Sequence, residues 1–160
     1  MRAKMKEPDP TAVVDAVLRA SRVLVAVAVR SLAGTDQEVT LPQYRALVVL
    51  ASRGPQRPTT LADALAIHPS TVTRLCDRLV AKRLVRRRES ATNRREVSIT
   101  LTARGRRLVD AVTARRRIEI AEIVARVPAA ERATMVHALH ALGEAAGEPD
   151  DASWFTGTTA

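Results

Sequence analysis

The pattern of apolar and polar positions predicts a chain made mostly of helices, with one β-hairpin after its middle. Apolar residues recur at helical spacing in the ranges 12–32, 41–52, 61–65, 69–81, 102–127 and 128–146. Near residue 97 the period changes, because Val97, Ile99 and Leu101 alternate with Ser98 and Thr100, as in a strand with one buried face. The predicted fold class is therefore mainly α with a small β-hairpin.

Two short helices in the centre of the chain are separated by a sharp turn. Leu61, Ala64 and Leu65 form one apolar face, and Thr60 is the expected N-cap. Pro69 cannot donate a backbone hydrogen bond and restricts the residue before it, so it ends the first helix and begins the second. This arrangement is typical of a helix-turn-helix unit.

The second helix has an outer side suited to DNA. Its inward side is predicted to hold Val72, Leu75, Cys76, Leu79 and Val80. Its outward side is predicted to hold Ser70, Thr71, Thr73, Arg74, Asp77 and Arg78. Short hydroxyl side chains allow close approach to base edges, and an arginine can pair with guanine through two hydrogen bonds. A plain solvated helix face is the alternative, and the neighbouring hairpin argues against it.

The hairpin carries a basic loop. Its two strands are predicted over 84–88 and 96–101, with Asn93, Arg94 and Arg95 in the loop between them. Such a loop can reach the minor groove of DNA, where the negative potential attracts arginine. The centre of the chain is thus predicted to be a helix-turn-helix with a basic wing.

Several motifs follow one another along the chain: 41–47 (LPQYRAL), 72–79 (VTRLCDRL), 82–87 (KRLVRR), and 93–95 (NRR) followed by Leu101, Thr102 and Gly105. Together and in this order they resemble the MarR family of bacterial winged helix-turn-helix transcriptional regulators. The family usually has Asp in place of Asn93 and Gly in place of Arg83. The resemblance implies a sequence-specific regulator, most commonly a repressor.

The candidate site follows from the helix pattern and the resemblance together. The expected DNA-binding residues are Thr60, Ser70, Thr71, Thr73, Arg74, Arg78, Asn93, Arg94 and Arg95. The resemblance places Arg95 in the minor groove, and Asp77 is expected to position the wing by pairing with a wing arginine. It also implies a small-molecule effector, with Tyr44 and His68 as candidates for its cleft.

The first helix is apolar around most of its circumference, which a small monomer can seldom bury. We therefore expect a homodimer, and the resemblance implies that the first, fifth and sixth helices intertwine with their equals in a second subunit. Such a dimer would bind a pseudo-palindromic operator. The expected regions are a flexible arm (1–10), a dimerisation region (11–34 and 103–146), a DNA-binding region (40–102) and a tail (147–160).

Charge points to double-stranded DNA as the partner. The chain has 26 basic and 17 acidic residues, a net charge of +9, and a pI of about 11.2. A membrane surface would also suit this charge, but no apolar run is long enough to span a bilayer, and the first residues lack the charged-then-apolar order that is typical of a signal peptide. The lone Cys76 cannot form an internal disulfide, and its expected burial argues against a redox role. The expected location is the cytoplasm.

An enzyme is not expected. The sequence has no Gly-rich phosphate loop, no nucleophile elbow and no cysteine cluster, so no catalytic residue, cofactor or metal is predicted. His137 and His140, with Glu144 a turn later, could form only a partial metal site, and a solvated helix face is favoured. The weaker functional alternative is an architectural protein that coats DNA through charge alone. The Thr73-Arg74 surface beside a defined wing is more than such a protein requires.

Overall fold

The computed structural model describes residues 9–35, 38–89 and 97–148. In these ranges the elements are α1 (Pro10–Ala33), α2 (Leu41–Arg53), α3 (Pro58–Leu65), α4 (Pro69–Ala81), β1 (Val85–Glu89), β2 (Val97–Leu101), α5 (Ala103–Ala125) and α6 (Ala129–Ala145). The predicted fold class, mainly helical with one β-hairpin, is confirmed. Residues 1–8 of the expected arm, and 149–160 of the expected tail with Trp154 and Phe155, lie outside the described residues.

Local sequence explains where most helices begin. Pro69 opens α4 as predicted, because a proline at the first helical position loses no hydrogen bond there. Thr102 caps α5, and its hydroxyl accepts a hydrogen bond from the Gly105 N–H at 3.0 Å. At the start of α2, Thr40 and Gln43 form a reciprocal capping box. These caps fix the helix ends that frame the helix-turn-helix.

Two predicted caps are wrong. The sequence makes Thr11 a candidate N-cap of α1, but the cap is Asp9, since the Asp9 carboxylate accepts from the Thr11 N–H at 3.1 Å. The N-cap position of α3 is Arg57, so Thr60 lies inside the first turn. In both helices a proline takes the first helical position, which moves the start upstream of the threonine.

The hairpin is antiparallel, with Val85 opposite Leu101 and Glu89 opposite Val97. Gln56 adds a single bridge to it: the Gln56 N–H donates to the Ile99 carbonyl at 3.0 Å, and the Ile99 N–H donates back at 2.7 Å. The family resemblance implies a small third strand around Pro58 and Thr59, but Pro58 begins α3 and lacks an N–H for pairing. The bridge nevertheless ties the segment before α3 to the wing.

One aliphatic core lies beneath the helix-turn-helix. Its largest fully buried side chains include Leu47, Leu50, Leu61, Leu79, Leu84 and Ile99. They come from α2, α3 and α4, from the turn that precedes β1, and from β2 itself. Helix α4 and the hairpin therefore pack on the same core. Val109 and Val112 extend this core into the first half of α5.

Within the described residues, the apolar faces of α1 and α6 are not covered. The helical spacing of Met135, Leu139 and Leu142 predicts an inward stripe on α6, but Met135 is 37% exposed and Leu139 and Leu142 are both 46% exposed. Ile118 of α5, also predicted to face inward, is 65% exposed. These inward assignments are wrong for the single chain, because the described residues hold no element that packs over this side.

Arg83 occupies the turn between α4 and β1 with a φ of +57°. This is the left-handed region, where a Cβ approaches the carbonyl oxygen and costs roughly 1–2 kcal/mol. The family's usual glycine would relieve that strain. The departure from the family pattern has therefore left the left-handed turn in place and put a strained side chain in it.

We predict that Arg83→Gly raises the free energy of unfolding by about 1 kcal/mol, since relief of the strain exceeds the added freedom of the unfolded chain. Urea denaturation with an unchanged m-value measures this. Ala81→Gly, at the exposed end of α4, is the control and should lose roughly 0.5–1 kcal/mol. Equal losses in both variants would contradict the assignment of strain to Arg83.

Candidate nucleic-acid interface

The recognition helix α4 divides into two sides as predicted. Val72, Leu75, Cys76 and Leu79 are buried in the core. The exposed positions are Ser70, Thr71, Thr73, Arg74, Asp77 and Arg78. The core therefore fixes the roll of the helix, and its polar side faces outward along its whole length.

Side-chain hydrogen bonds order the first turn of α4. His68 is the N-cap, and its Nδ1 accepts from the Ser70 N–H at 3.3 Å and lies 2.9 Å from the Ser70 hydroxyl. The Thr73 hydroxyl donates to the Pro69 carbonyl at 3.2 Å. In the described part of the chain Arg74 makes no hydrogen bond or ion pair. Its guanidinium is thus available to a ligand outside the protein.

An ion pair joins the recognition helix to the wing. The Arg87 guanidinium of β1 lies 2.6 Å from the Asp77 carboxylate, and both side chains are about half exposed. Such an exposed pair contributes little to stability, about 0–1 kcal/mol. It links the outer side of α4 directly to β1. The sequence predicted that Asp77 pairs with an arginine of the wing, but it did not identify Arg87 as that arginine. Because side chains alternate along a strand, Arg87 lies on the opposite face of β1 from Arg86 and Arg88, and this period could have distinguished it.

Of the other predicted DNA-binding residues outside α4, the structure describes only Thr60. Thr60 is exposed in the first turn of α3. Asn93, Arg94 and Arg95 lie outside the described residues, between Glu89 and Val97. Arg86 and Arg88 were not predicted as site residues, and both are exposed on β1. They add positive charge beside the wing, on the strand that leads into its loop.

A cavity of about 560 Å³ lies between α1 and α5 on one side and α2 with the end of α3 on the other. Its wall includes Leu24 of α1, and Tyr44 and Arg45 of α2. It also includes Ile67, in the turn between α3 and α4, and Arg116 of α5. The Tyr44 ring is buried, and its hydroxyl lies 3.3 Å from the Thr113 hydroxyl. His68 is not among the residues that line this cavity, and its imidazole caps α4. Its place in an effector cleft stays a prediction.

The charged side chains that line the cavity, Arg45 and Arg116, are both basic. Arg45 pairs through both terminal nitrogens with the Glu148 carboxylate, at 2.8 and 2.5 Å. This guanidinium lowers the pKa of Glu148 below its ordinary value, so the carboxylate stays ionised at neutral pH. The Nε of Arg116 is buried and has no hydrogen-bond partner among the residues that the structure describes. The cavity thus combines apolar walls with two guanidinium groups.

Other candidate chemistry finds little support. Cys76 is 1% exposed, and burial raises the pKa of its thiol, which makes it a poor nucleophile at neutral pH. His137 and His140 are exposed on α6. Among the described residues, no three His, Cys, Asp or Glu side chains come together in a way that could hold a metal ion. In those same ranges, none of the helices is both long and apolar enough to cross a bilayer.

Comparison with known proteins relates this geometry to DNA-binding regulators. The model of the MarR family matches residues 39–97. The transcriptional repressor MdtR of Bacillus subtilis is 29% identical over 110 residues, which are 69% of this chain and 71% of MdtR.

Solved structures extend the likeness to nearly the whole chain. The structure of RV1404 from Mycobacterium tuberculosis is 46% identical with a TM-score of 0.83, and the match covers 91% of this chain and 99% of that one. BpsR of Bordetella bronchiseptica, whose DNA binding is regulated by 6-hydroxynicotinic acid, is 26% identical with a TM-score of 0.63. That match covers 82% of this chain and 98% of BpsR.

Proposed function

Because the chain belongs to the MarR family of transcriptional regulators, we propose that it is a sequence-specific repressor that binds a pseudo-palindromic operator as a homodimer. A small-molecule effector then releases it from DNA. The observation that carries the proposal is the outer side of α4, where Arg74 has no partner in the described ranges and short hydroxyl side chains surround it. This surface can read base edges in a major groove.

Each residue of the interface has a proposed role. Ser70, Thr71 and Thr73 approach the bases and the backbone closely, and Arg74 pairs with a guanine. Arg78 and Thr60 contact phosphates on either side, which position the protein without reading sequence. Asn93, Arg94 and Arg95 contact the minor groove from the wing. Asp77 holds the wing in place through Arg87.

The dimer is proposed from the uncovered apolar face of α1 and α6. On α1 the exposed large apolar residues are Val13, Val14, Val17, Leu18, Val23, Leu24, Val25 and Val29. A soluble monomer rarely exposes so large a contiguous apolar patch. A second copy would bury it across a two-fold axis and would place the two α4 helices roughly 34–36 Å apart, one turn of DNA.

The dimer predicts a sharp effect of charge on this face. Leu18 is 55% exposed in the single chain, so Leu18→Asp would change the stability of a monomer by no more than about 0.5 kcal/mol. In a dimer the same variant buries an unpaired carboxylate and should dissociate the subunits. Sedimentation at micromolar concentration should show only dimer for the native protein and monomer for the variant. A folded native monomer would contradict the two-half-site arrangement.

The effector is proposed to bind in the 560 Å³ cavity, where Tyr44 forms part of the wall. A ligand there shifts the wings only by its different affinity for the two arrangements, so DNA and effector must weaken each other equally. BpsR, with DNA binding regulated by 6-hydroxynicotinic acid, supports this part of the proposal.

Selection of bound fragments from random DNA tests the function as a whole. We expect an enriched sequence with two inverted half-sites whose centres are about one helical turn apart. An architectural protein that coats DNA through charge would enrich no sequence.

A further inference from the structure

The Arg45–Glu148 ion pair stands at the edge of the cavity and joins two distant parts of the chain. Arg45 lies on α2, which supports the helix-turn-helix, and Glu148 follows the end of α6. Both terminal nitrogens of the guanidinium contact the carboxylate, so the pair has the paired geometry that arginine and a carboxylate prefer. Arg45 also lines the cavity. The guanidinium of Arg45 therefore contacts the Glu148 carboxylate and also forms part of the cavity wall.

The cavity itself lacks a negative charge. Among the described residues its wall includes Arg45 and Arg116 but no acidic side chain. Arg116 supplies the second guanidinium group of this wall. Within the described ranges its buried Nε has no hydrogen-bond partner. The remaining wall is mainly aliphatic, with Val48, Leu65 and Ile67 among its members. The chemistry that fits is a compact apolar anion, with one acid group toward the guanidinium groups and a hydrophobic body against the aliphatic wall.

The chain's own carboxylate stands in the way of such an anion. Glu148 is held ionised by Arg45 and occupies both terminal nitrogens of its guanidinium. The side chains of Arg45 and Glu148 are 45% and 44% exposed, so their ion pair contributes little to stability, like other surface pairs. At that strength another anion can replace Glu148 at Arg45.

We propose that Glu148 is a tethered competitor for an apolar anionic ligand of this cavity: the acid group of the ligand takes Arg45, and Glu148 with the end of α6 is released from α2. The inference rests on the proposed function, because it assigns the regulation of the same effector cavity. Exchange at Arg45 would convert binding in the cavity into a loss of the contact between the end of α6 and α2. An effector can shift a conformational equilibrium only if it binds the two conformations with different affinity. The conformation in which Glu148 has left Arg45 would bind the anion more tightly than the conformation in which the ion pair is formed.

The test uses the full chain and the dye 8-anilinonaphthalene-1-sulfonate, an apolar anion whose fluorescence rises in apolar sites. Glu148→Gln removes the competing charge and keeps the shape of the side chain. We expect the variant to bind the dye about fivefold more tightly, the gain from removing a competitor of roughly surface-pair strength. Glu144→Gln, an exposed glutamate one turn earlier with the same change in charge, is the control and should bind like the native protein.

A double-mutant cycle separates the cavity from other apolar surfaces. In an Arg45→Gln background the gain from Glu148→Gln should vanish, because the ligand and Glu148 no longer share a partner. Equal gains in Glu144→Gln, no gain in Glu148→Gln, a gain that persists without Arg45, or no dye binding by any variant would each overturn the competition. Operator binding measured on the same samples reports the proposed function separately. A protein that lacks operator binding but shows the Arg45-dependent gain would refute the function and keep the competition.

Discussion

Gly105→Ala is expected to destabilise the protein by roughly 1–3 kcal/mol, the usual cost of overpacking, or more. Gly105 lies in the first turn of α5, where a Cβ would overlap the Leu84 carbonyl oxygen and lie 2.8 Å from the Leu101 Cδ1. The Leu84 carbonyl is backbone and already accepts from the Thr102 N–H at 3.1 Å, so it cannot move aside cheaply. The base of the wing must therefore shift, and DNA affinity should fall with stability.

Gly143→Ala is the matched control for this substitution. Gly143 lies within α6, and a Cβ there would meet no atom within 4 Å. Since alanine favours the helix by about 0.8–1.0 kcal/mol over glycine, this variant should be slightly more stable than the native protein. Urea denaturation of both variants decides the point. If both variants gain stability, the close approach of Gly105 to Leu84 has no energetic weight.

Arg74→Ala is expected to cost about 1–3 kcal/mol of discrimination at one base pair of each half-site. The guanidinium lies on the outer side of α4 with no partner in the described part of the chain, so its removal leaves no protein group unsatisfied. Fold stability should stay within about 0.5 kcal/mol of native. Binding curves on operators changed at single positions measure the effect, and one position per half-site should lose its preference.

Arg126→Ala is the control for the lost charge. Arg126 is exposed at the end of α5 and away from α4. Its removal should leave base preference unchanged at every position. If Arg74→Ala instead weakens all sequences equally and lowers the salt slope by about 1 per contact, Arg74 binds a phosphate and another residue reads the base.

The parts of this fold that the sequence could predict are those with a local period or a strong local signal. Pro69 and the helical spacing of Val72, Leu75 and Leu79 fixed both the start and the roll of α4. The caps of α1 and α3 were missed because a threonine and a proline competed for the same few positions. One N-cap contributes about 1 kcal/mol, whereas a core of many buried side chains contributes far more, so the sequence signal for a cap is weaker than the signal for a buried helix face.

Contacts between distant segments could not be predicted in the same way. The bridge from Gln56 to Ile99 involves one residue and so carries no period. Arg45 and Glu148 are 103 positions apart, and nothing local to either marks the other as its partner. The stripe of Met135 and Leu139 showed that α6 carries an apolar face, but periodicity does not tell whether the same chain or a second copy covers it.

The most direct test of the account is the ratio of two dissociation constants for the native protein. One is for the operator obtained by selection, and the other is for a scrambled duplex of the same length at the same salt concentration. We predict that the operator binds at least about 10³-fold more tightly, as base readout by α4 requires. A ratio near one would contradict the account, because it would mean that the charge of +9 alone holds the protein on DNA.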